Sequence, residues 1–204
     1  MLQFDKEHER KNFKDHVATL TDYGNIKILD FKNPKSSNYR IRFLFEEDYC
    51  RLHISGDLGE LTAVNYDNMC YECFTDFTHS LGYFREKVKC HNRPFWNFDY
   101  DLAKEELKER LEELDPEPED EDQTKEEYID EIISDCLDDF GNDGLGRQAY
   151  DILSEIDADC FEWISDIGKV SSGILELYMF AFELAQEQLK QKGDSNGQQS
   201  EGTT

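Results

Sequence analysis

The chain has 204 residues, and its 47 acidic side chains against 22 basic ones give a formal net charge of −25 at pH 7. The hydrophobic fraction of 38% is low, but 14 Phe and 10 Tyr supply large apolar side chains for one substantial core, alone or with a small helical lobe. No apolar run approaches the roughly 20 residues of a membrane span, and no apolar signal-peptide core follows the first charges. The sequence therefore predicts a cytoplasmic protein without a membrane partner.

The first part of the chain shows both helical and strand patterns. Phe13, Val17 and Leu20 recur at three- and four-residue spacing, which predicts a first helix over residues 4–20. Alternating apolar residues then predict four strands, and the short links between them favour an antiparallel meander that helices cover on one face. The predicted strands span residues 26–31, 39–45, 49–55 and 60–66.

Helical spacing returns after Asp67 and continues through most of the remaining chain. A short helix is predicted over residues 83–88, and a strong one with four leucines on one side over residues 99–114. Before them, one helical stripe is formed by Met69, Cys70, Cys73, Phe74 and Phe77. Beyond residue 123, helices are predicted over residues 125–140, 147–156, 157–167 and 170–191.

These elements predict an α+β fold, in which a small antiparallel sheet covered by helices is followed by an acidic, mostly helical lobe. Residues 115–123 contain two prolines among acids and are predicted to form a linker or exposed loop. The predicted organisation is an α+β domain over residues 1–114, the linker over 115–123, the helical lobe over 124–192 and a disordered tail over 193–204.

The last predicted helix has an unusually broad apolar side, which includes Ile174, Leu177, Tyr178 and Phe182. A helix that is apolar over so much of its circumference is buried on more than one side. The pattern therefore indicates either burial in the core of the protomer or a surface for self-association, which would make the protein a homodimer.

Six cysteines raise the question of a metal site or of disulfides. In a cytoplasmic protein they are expected to stay reduced and to pack as small apolar side chains. Cys70 and Cys73, followed by Cys90 and His91, form a candidate zinc set with Cys-x-x-Cys spacing. Because the first pair lies in a helical pattern and a fourth ligand is not convincing, we expect no stoichiometric zinc and no other cofactor. A zinc-dependent enzyme stays open as a further alternative.

Other catalytic patterns are incomplete. Asp139, Gly141, Asp143 and Gly144 resemble a calcium loop, but the ligand types at its third and twelfth positions are wrong. The His53–Ser55 segment matches half of a two-histidine phosphoesterase site, and the chain has no second half. The sequence also lacks the glycine-rich phosphate-binding motifs and the nucleophile elbow. We therefore expect a binding protein and not an enzyme.

The acidic residues are concentrated in one part of the chain. Residues 1–98 carry a formal net charge of −1, whereas residues 99–140 contain 20 acids and four bases and carry −16. Two or three carboxylates per helical turn approach the charge density of DNA, which has about one charge per 1.7 Å of axis. The tract is thus either a phosphate-mimicking surface that occupies a basic nucleic-acid channel or a solvated helical face.

If the tract binds a partner, ten carboxylates are the predicted contacts. They are Glu105, Glu109, Glu112, Glu113, Asp120, Glu121, Asp122, Glu126, Glu127 and Asp130. The same charge repels phosphate, and no basic face is visible, so we expect no direct binding of DNA or RNA.

Three segments resemble small acidic proteins of bacteriophages and prophages. They are residues 39–45, the run Ile54-Ser55-Gly56-Asp57-Leu58-Gly59-Glu60, and Cys90-His91-Asn92-Arg93-Pro94. Some short acidic proteins of that setting are anti-CRISPR or other anti-defence inhibitors. The resemblance implies an anti-defence inhibitor in the host cytoplasm that binds a defence protein or nucleoprotein complex. The acidic tract would make this inhibitor a DNA mimic. An immunity protein or antitoxin that neutralises a basic toxin is the alternative.

Overall fold

Six strands form one antiparallel sheet in chain order. The structure is a computed structural model, and it describes residues 4–118 and 120–197. The first two strands meet in a tight hairpin, where Gly24 has a φ of +84° and its N–H donates to the Asp22 carboxylate at 2.7 Å. The strands are β1 (Val17–Asp22), β2 (Ile26–Lys32), β3 (Ile41–Glu46), β4 (Arg51–Gly56), β5 (Leu61–Val64) and β6 (Val88–His91).

One face of this sheet is apolar, and helices cover it. Strand alternation points Ile41, Phe43 and Phe45 of β3 inward, with Leu52 and Ile54 of β4 beside them. Residues 4–95 contain three short helices, α1 (Lys6–Asn12), α2 (Thr75–Thr78) and α3 (Leu81–Lys87). A long helix from the end of the chain, Ile174–Gly197, also packs on this face.

The C-terminal helix supplies the centre of the aromatic core. Phe182 is fully buried, and its ring centroid lies 4.8 Å from that of Phe74 and 5.4 Å from that of Phe43. Tyr178 is buried in the same core. The broad apolar side of this helix is thus explained by burial within the protomer, so the surface that suggested a homodimer is not available for self-association.

The same helix also satisfies backbone groups at the sheet edge. β1 has a strand neighbour on one side only, which leaves a row of its N–H and C=O groups without a ladder partner. Gln188 accepts a hydrogen bond from Ala18 N–H at 3.0 Å and donates to His16 C=O at 2.9 Å. Lys192 donates to Ala18 C=O at 3.1 Å. The edge is therefore protected against pairing with another strand.

Residues Trp96–Ser172 form a compact unit of their own. Its helices enclose a second core, in which Ala103, Leu107 and Leu111 meet Ile133 and Leu153. A two-stranded pairing of Trp96–Phe98 with Lys169–Ser171 joins the ends of this segment. In chain order its elements are β7 (Trp96–Phe98), α4 (Tyr100–Leu114), α5 (Lys125–Leu137), α6 (Arg147–Ile156) and β8 (Lys169–Ser171), and Ile174–Gly197 is then α7.

The α+β class predicted from the sequence is confirmed, including the antiparallel meander followed by helices. The two compact units, however, divide the chain differently from the predicted boundaries at residues 114 and 124. α4 packs with α5 because its leucines face the core of the unit formed by Trp96–Ser172. The C-terminal helix, which was assigned to the lobe, packs in the core of the sheet.

Three local predictions are wrong. Residues 17–20 belong to β1, because pairing with β2 outweighs the helical spacing of Phe13, Val17 and Leu20. The segment 157–167 contains only the short 3-10 helices Cys160–Glu162 and Ile164–Asp166. Residues 193–197, predicted to be disordered, continue α7. The rest of the predicted tail, residues 198–204, lies outside the described residues.

We expect Phe182→Ala to reduce the free energy of unfolding by about 3–5 kcal/mol, because it removes a ring from a fully enclosed site. Urea unfolding monitored by circular dichroism measures the change. Tyr66→Ala is the matched control, since the Tyr66 side chain is 91% exposed and its loss should cost less than about 0.5 kcal/mol. Equal effects of the two substitutions would contradict the central role of α7.

Candidate partner-binding surface

The carboxylates of α4 lie opposite its buried side. Asp101, Glu105, Glu109 and Glu112 follow one another at intervals of four or three residues, so they form a row along the helix. At a rise of about 1.5 Å per residue, this row is roughly 16 Å long. Its members are exposed, whereas Ala103, Leu107 and Leu111 on the other side are fully buried. The helix is therefore amphipathic, with a buried apolar side and an exposed acidic side.

The loop and helix that follow extend the exposed acidic surface. Asp120, Glu121 and Asp122 are exposed in the loop before α5. On α5, Glu126, Glu127 and Asp130 are exposed, and the buried residues of that helix lie on its other side. All ten carboxylates predicted as partner contacts are therefore at the surface of the unit Trp96–Ser172.

Some of these carboxylates already have roles within the protein. Glu127 accepts hydrogen bonds from the backbone N–H and the hydroxyl of Thr124, at 3.0 and 2.8 Å, which closes a capping box at the start of α5. These bonds lower the pKa of Glu127. Glu113 forms an ion pair with Arg110 at 3.2 Å. Replacing either residue would thus disturb the helix as well as the surface.

Some of the few basic side chains in the tract form ion pairs with neighbouring acids or pack on an aromatic ring. Lys125 forms ion pairs with Asp115 and Glu117, and the bond to Asp115 raises the pKa of the ammonium group. Arg110 lies over the ring of Trp163, with its guanidinium carbon 5.2 Å from the ring centroid. As a whole, the segment 96–172 contains 27 acidic and six basic residues, a formal net charge of −21. This one unit carries most of the negative charge of the chain.

Asp157 links the Arg110–Trp163 contact to the backbone. Its carboxylate accepts hydrogen bonds from the indole N–H of Trp163 at 2.9 Å and from Asp159 N–H at 3.0 Å. These two bonds and the nearby Arg110 guanidinium lower the pKa of Asp157. Sequence patterns did not single out this cluster, because its members are separated by up to 53 positions and match no motif.

The proposed zinc set does not assemble into one cluster among the described residues. Cys70 and Cys73 lie in turns before α2 and not within a helix, and Cys90 lies on β6 opposite Thr62. Cys73 N–H donates to the Cys70 sulfur at 3.2 Å, and a hydrogen bond with Cys70 raises the pKa of the Cys73 thiol to about 11.

One group of possible metal ligands does occur among the described residues, and it consists of Glu47, Cys70 and Glu72. The Lys27 ammonium lies between its two carboxylates, at 3.1 Å from Glu47 and 2.5 Å from Glu72. The bond to Glu72 is the main cause that raises the pKa of Lys27, which keeps this nearly buried group charged. The ammonium bridges the two carboxylates and offsets one of their two charges, so the group is explained as an ion-pair cluster.

The remaining candidate motifs also have structural explanations. Asp139, the first residue of the calcium-like pattern, accepts hydrogen bonds from Gly146 N–H at 3.3 Å and Gln148 N–H at 3.1 Å, next to the start of α6. A side chain at Gly146 would collide with this carboxylate. His53 bonds to Glu46 at 2.9 Å and to Thr62 at 3.1 Å on the outer face of the sheet.

The segments 54–60 and 90–94, which the sequence analysis singled out, meet in space. Glu60 N–H donates to the Asn92 side chain at 2.7 Å, and Asn92 N–H donates to Glu60 C=O at 3.1 Å. Gly59, with a φ of +123°, lies so close to Arg93 and Asn92 that a Cβ there would collide with both. These contacts therefore form a structural junction between the β4–β5 turn and the end of β6.

Comparison with protein-family models, with curated proteins and with solved structures finds no match for this chain. Within the part of the chain that the structure describes, no helix combines the length and apolarity that crossing a membrane requires.

We expect Asp157→Asn to destabilise the unit Trp96–Ser172 at neutral pH, because Arg110 and Trp163 lose an ionised partner. A folded-state pKa below the unfolded value of about 3.9 means that the ionised Asp157 stabilises the fold above that value. Its contribution is lost as pH falls through the folded-state pKa.

The measurement is the urea midpoint of wild type minus that of Asp157→Asn between pH 7 and pH 3. We expect this difference to be constant down to about pH 4 and to shrink below it. Asp151→Asn, which alters an exposed carboxylate 3.6 Å from Arg147, is the control. If the difference between the two urea midpoints grew on acidification, the ionised Asp157 would not be the form that stabilises the fold.

Proposed function

We propose that the chain is a phage-type anti-defence inhibitor that binds a host nucleic-acid-processing complex through the acidic surface of the unit Trp96–Ser172. The observation that supports the binding mode is the separation of charge between the two units. The segment 96–172 has a formal net charge of −21, and the rest of the chain has 20 acids and 16 bases, a net charge of −4. A general adaptation for solubility would not require such a division.

The exposed rows fit a basic channel better than they fit a single basic residue. Glu105, Glu109 and Glu112, which have no role assigned among the described residues, follow one helix at intervals of about 4.5–6 Å along its axis. Each exposed ion pair contributes only about 0.2–1 kcal/mol. Affinity and fast association must then come from many such contacts and from the field of the whole surface.

The proposed anti-defence role is based on the resemblance to phage proteins. Under this proposal the partner is a host defence complex. A basic toxin would present a positively charged surface like that of a nucleic-acid channel. An immunity protein that neutralises such a toxin is therefore the competing function. Expression in two settings separates them. An anti-defence inhibitor restores phage plating in a host whose nuclease-based defence blocks infection, whereas an immunity protein protects against its toxin and leaves plating unchanged.

The interface is tested by the triple variant Glu105→Gln, Glu109→Gln and Glu112→Gln. Gln has nearly the helix propensity of Glu, and the substitutions leave the Glu113–Arg110 pair and the Thr124 capping box intact. We expect affinity for the host complex to fall at least tenfold, which corresponds to about 1.4 kcal/mol. Wild-type affinity should also fall as salt rises, because exposed charges are screened within about 8–10 Å.

The matched control is Glu7→Gln, Asp67→Asn and Glu86→Gln, which removes the same charge from exposed positions in the other unit. It should retain both affinity and the effect on phage plating, while circular dichroism verifies the fold of both variants. If the two triple variants bind equally well, the acidic row of α4 is not the interface. If wild-type binding is also insensitive to salt, the acidic surface is only a solvated face.

A further inference from the structure

The outer face of the six-stranded sheet carries a small basic pocket. Strand register places Asp30 beside Arg42, and Arg42 beside Ser55, in one row across β2, β3 and β4. Lys32 at the end of β2 and Arg40 just before β3 flank this row. With Gly56 and Glu60, these side chains line a depression of about 250 Å³.

The charge in this pocket is only partly neutralised. Asp30 accepts two hydrogen bonds from Arg42, both at 2.8 Å, so one acid is paired and the guanidinium is fixed in position. Arg42 keeps further N–H groups for another acceptor, since a guanidinium has five. Lys32 and Arg40 are exposed, and neither forms an ion pair within 4 Å with an acid that the structure describes. Glu60 is the remaining acid, which leaves an excess of positive charge.

The donors fit a tetrahedral anion. Two guanidinium groups, one ammonium and the Ser55 hydroxyl converge on a volume that suits one or two phosphoryl groups. Arginine binds phosphate oxygens in pairs, and lysine adds a compact charge. Such a cluster of bases is unexpected in a chain with a net charge of −25.

A second depression continues from the first. It has a volume of about 350 Å³ and shares Ser55 and Glu60 with the basic pocket. His53 is held in it by Glu46 and Thr62, and the ring of His91 is stacked on Phe95 with centroids 4.0 Å apart. Fixed rings and hydroxyl groups of this kind can hold the organic part of a ligand.

We propose that this face binds a small phosphorylated molecule. The phosphate lies between Lys32, Arg40, Arg42 and Ser55, and the organic part lies in the depression of His53 and His91. The site belongs to the sheet and does not depend on the acidic surface of residues 96–172, so it stands or falls independently of the proposed function. A polynucleotide is a poor ligand, because repulsion from the acidic chain grows with every additional phosphate.

Titration calorimetry on the full chain tests the site with three probes: ADP, inorganic pyrophosphate and citrate. We expect ADP to bind at least tenfold more tightly than pyrophosphate, because only ADP reaches the second depression, and citrate to bind more weakly than either. Lys32→Gln and Arg40→Gln should each weaken ADP binding at least tenfold. Lys35→Gln, at an exposed lysine outside the pocket lining, should change it less than twofold.

Amide chemical shifts of the wild type provide a readout that needs no variant. ADP should shift resonances of Arg40, Arg42, Ser55 and Thr62, and those of residues 99–140 should stay unchanged. The proposal is overturned if neither diphosphate binds at millimolar concentration, if Lys35→Gln weakens binding as much as Arg40→Gln, or if an oligothymidylate displaces ADP from these residues. Equal affinity for ADP and pyrophosphate would overturn the placement of the organic part.

Discussion

The packing of α7 on the inner face of the sheet organises the unit that contains both elements. The inner side chains of β2 to β5 form an apolar surface that would face water without this helix. Each large apolar side chain contributes about 1.5–3 kcal/mol when it is buried, and Phe182 lies at the centre of that surface. The same helix completes the hydrogen bonds of β1 through Gln188 and Lys192. Apolar cover and edge protection therefore come from one element.

The formal charge is distributed unequally between the two units. In the segment 96–172, apolar residues on one side of α4 and α5 form the core, and the carboxylates are left in water, where screening limits their repulsion. In the other unit, acids and bases nearly balance, and pairs such as Arg42 with Asp30 fix side chains on the sheet. The two candidate sites have opposite charge, which is why they are suited to different classes of ligand.

Local patterns predicted much of the fold. The alternation of Ile41, Phe43 and Phe45 identified a strand, and the leucines of α4 identified a helix, because burial on one face imposes these periods. The spacing of Phe13, Val17 and Leu20 fits a helix equally well, and only pairing with β2 decides against it. β6 is short and polar, so its sequence carries no such signal.

The predicted contacts on α4 and α5 are at the surface, as the acidic pattern required. Their individual roles were not visible in the sequence. Glu113 pairs with Arg110 and Glu127 caps α5, and these bonds depend on helix geometry. The basic pocket was missed because Lys32, Arg40 and Ser55 come from three segments that meet only through strand register.

The position of α7 after the segment 96–172 has a consequence for synthesis on the ribosome. β6 ends at His91, and Gln188 follows roughly a hundred residues later, after the whole of the segment 96–172. Translation proceeds at about 5–20 residues per second, so the strands are complete several seconds before the helix that covers them is synthesised. During that interval the inner face of the sheet is exposed, and the intervening unit has time to fold first. Until α7 emerges, the exposed apolar face is therefore the kind of surface that chaperones bind.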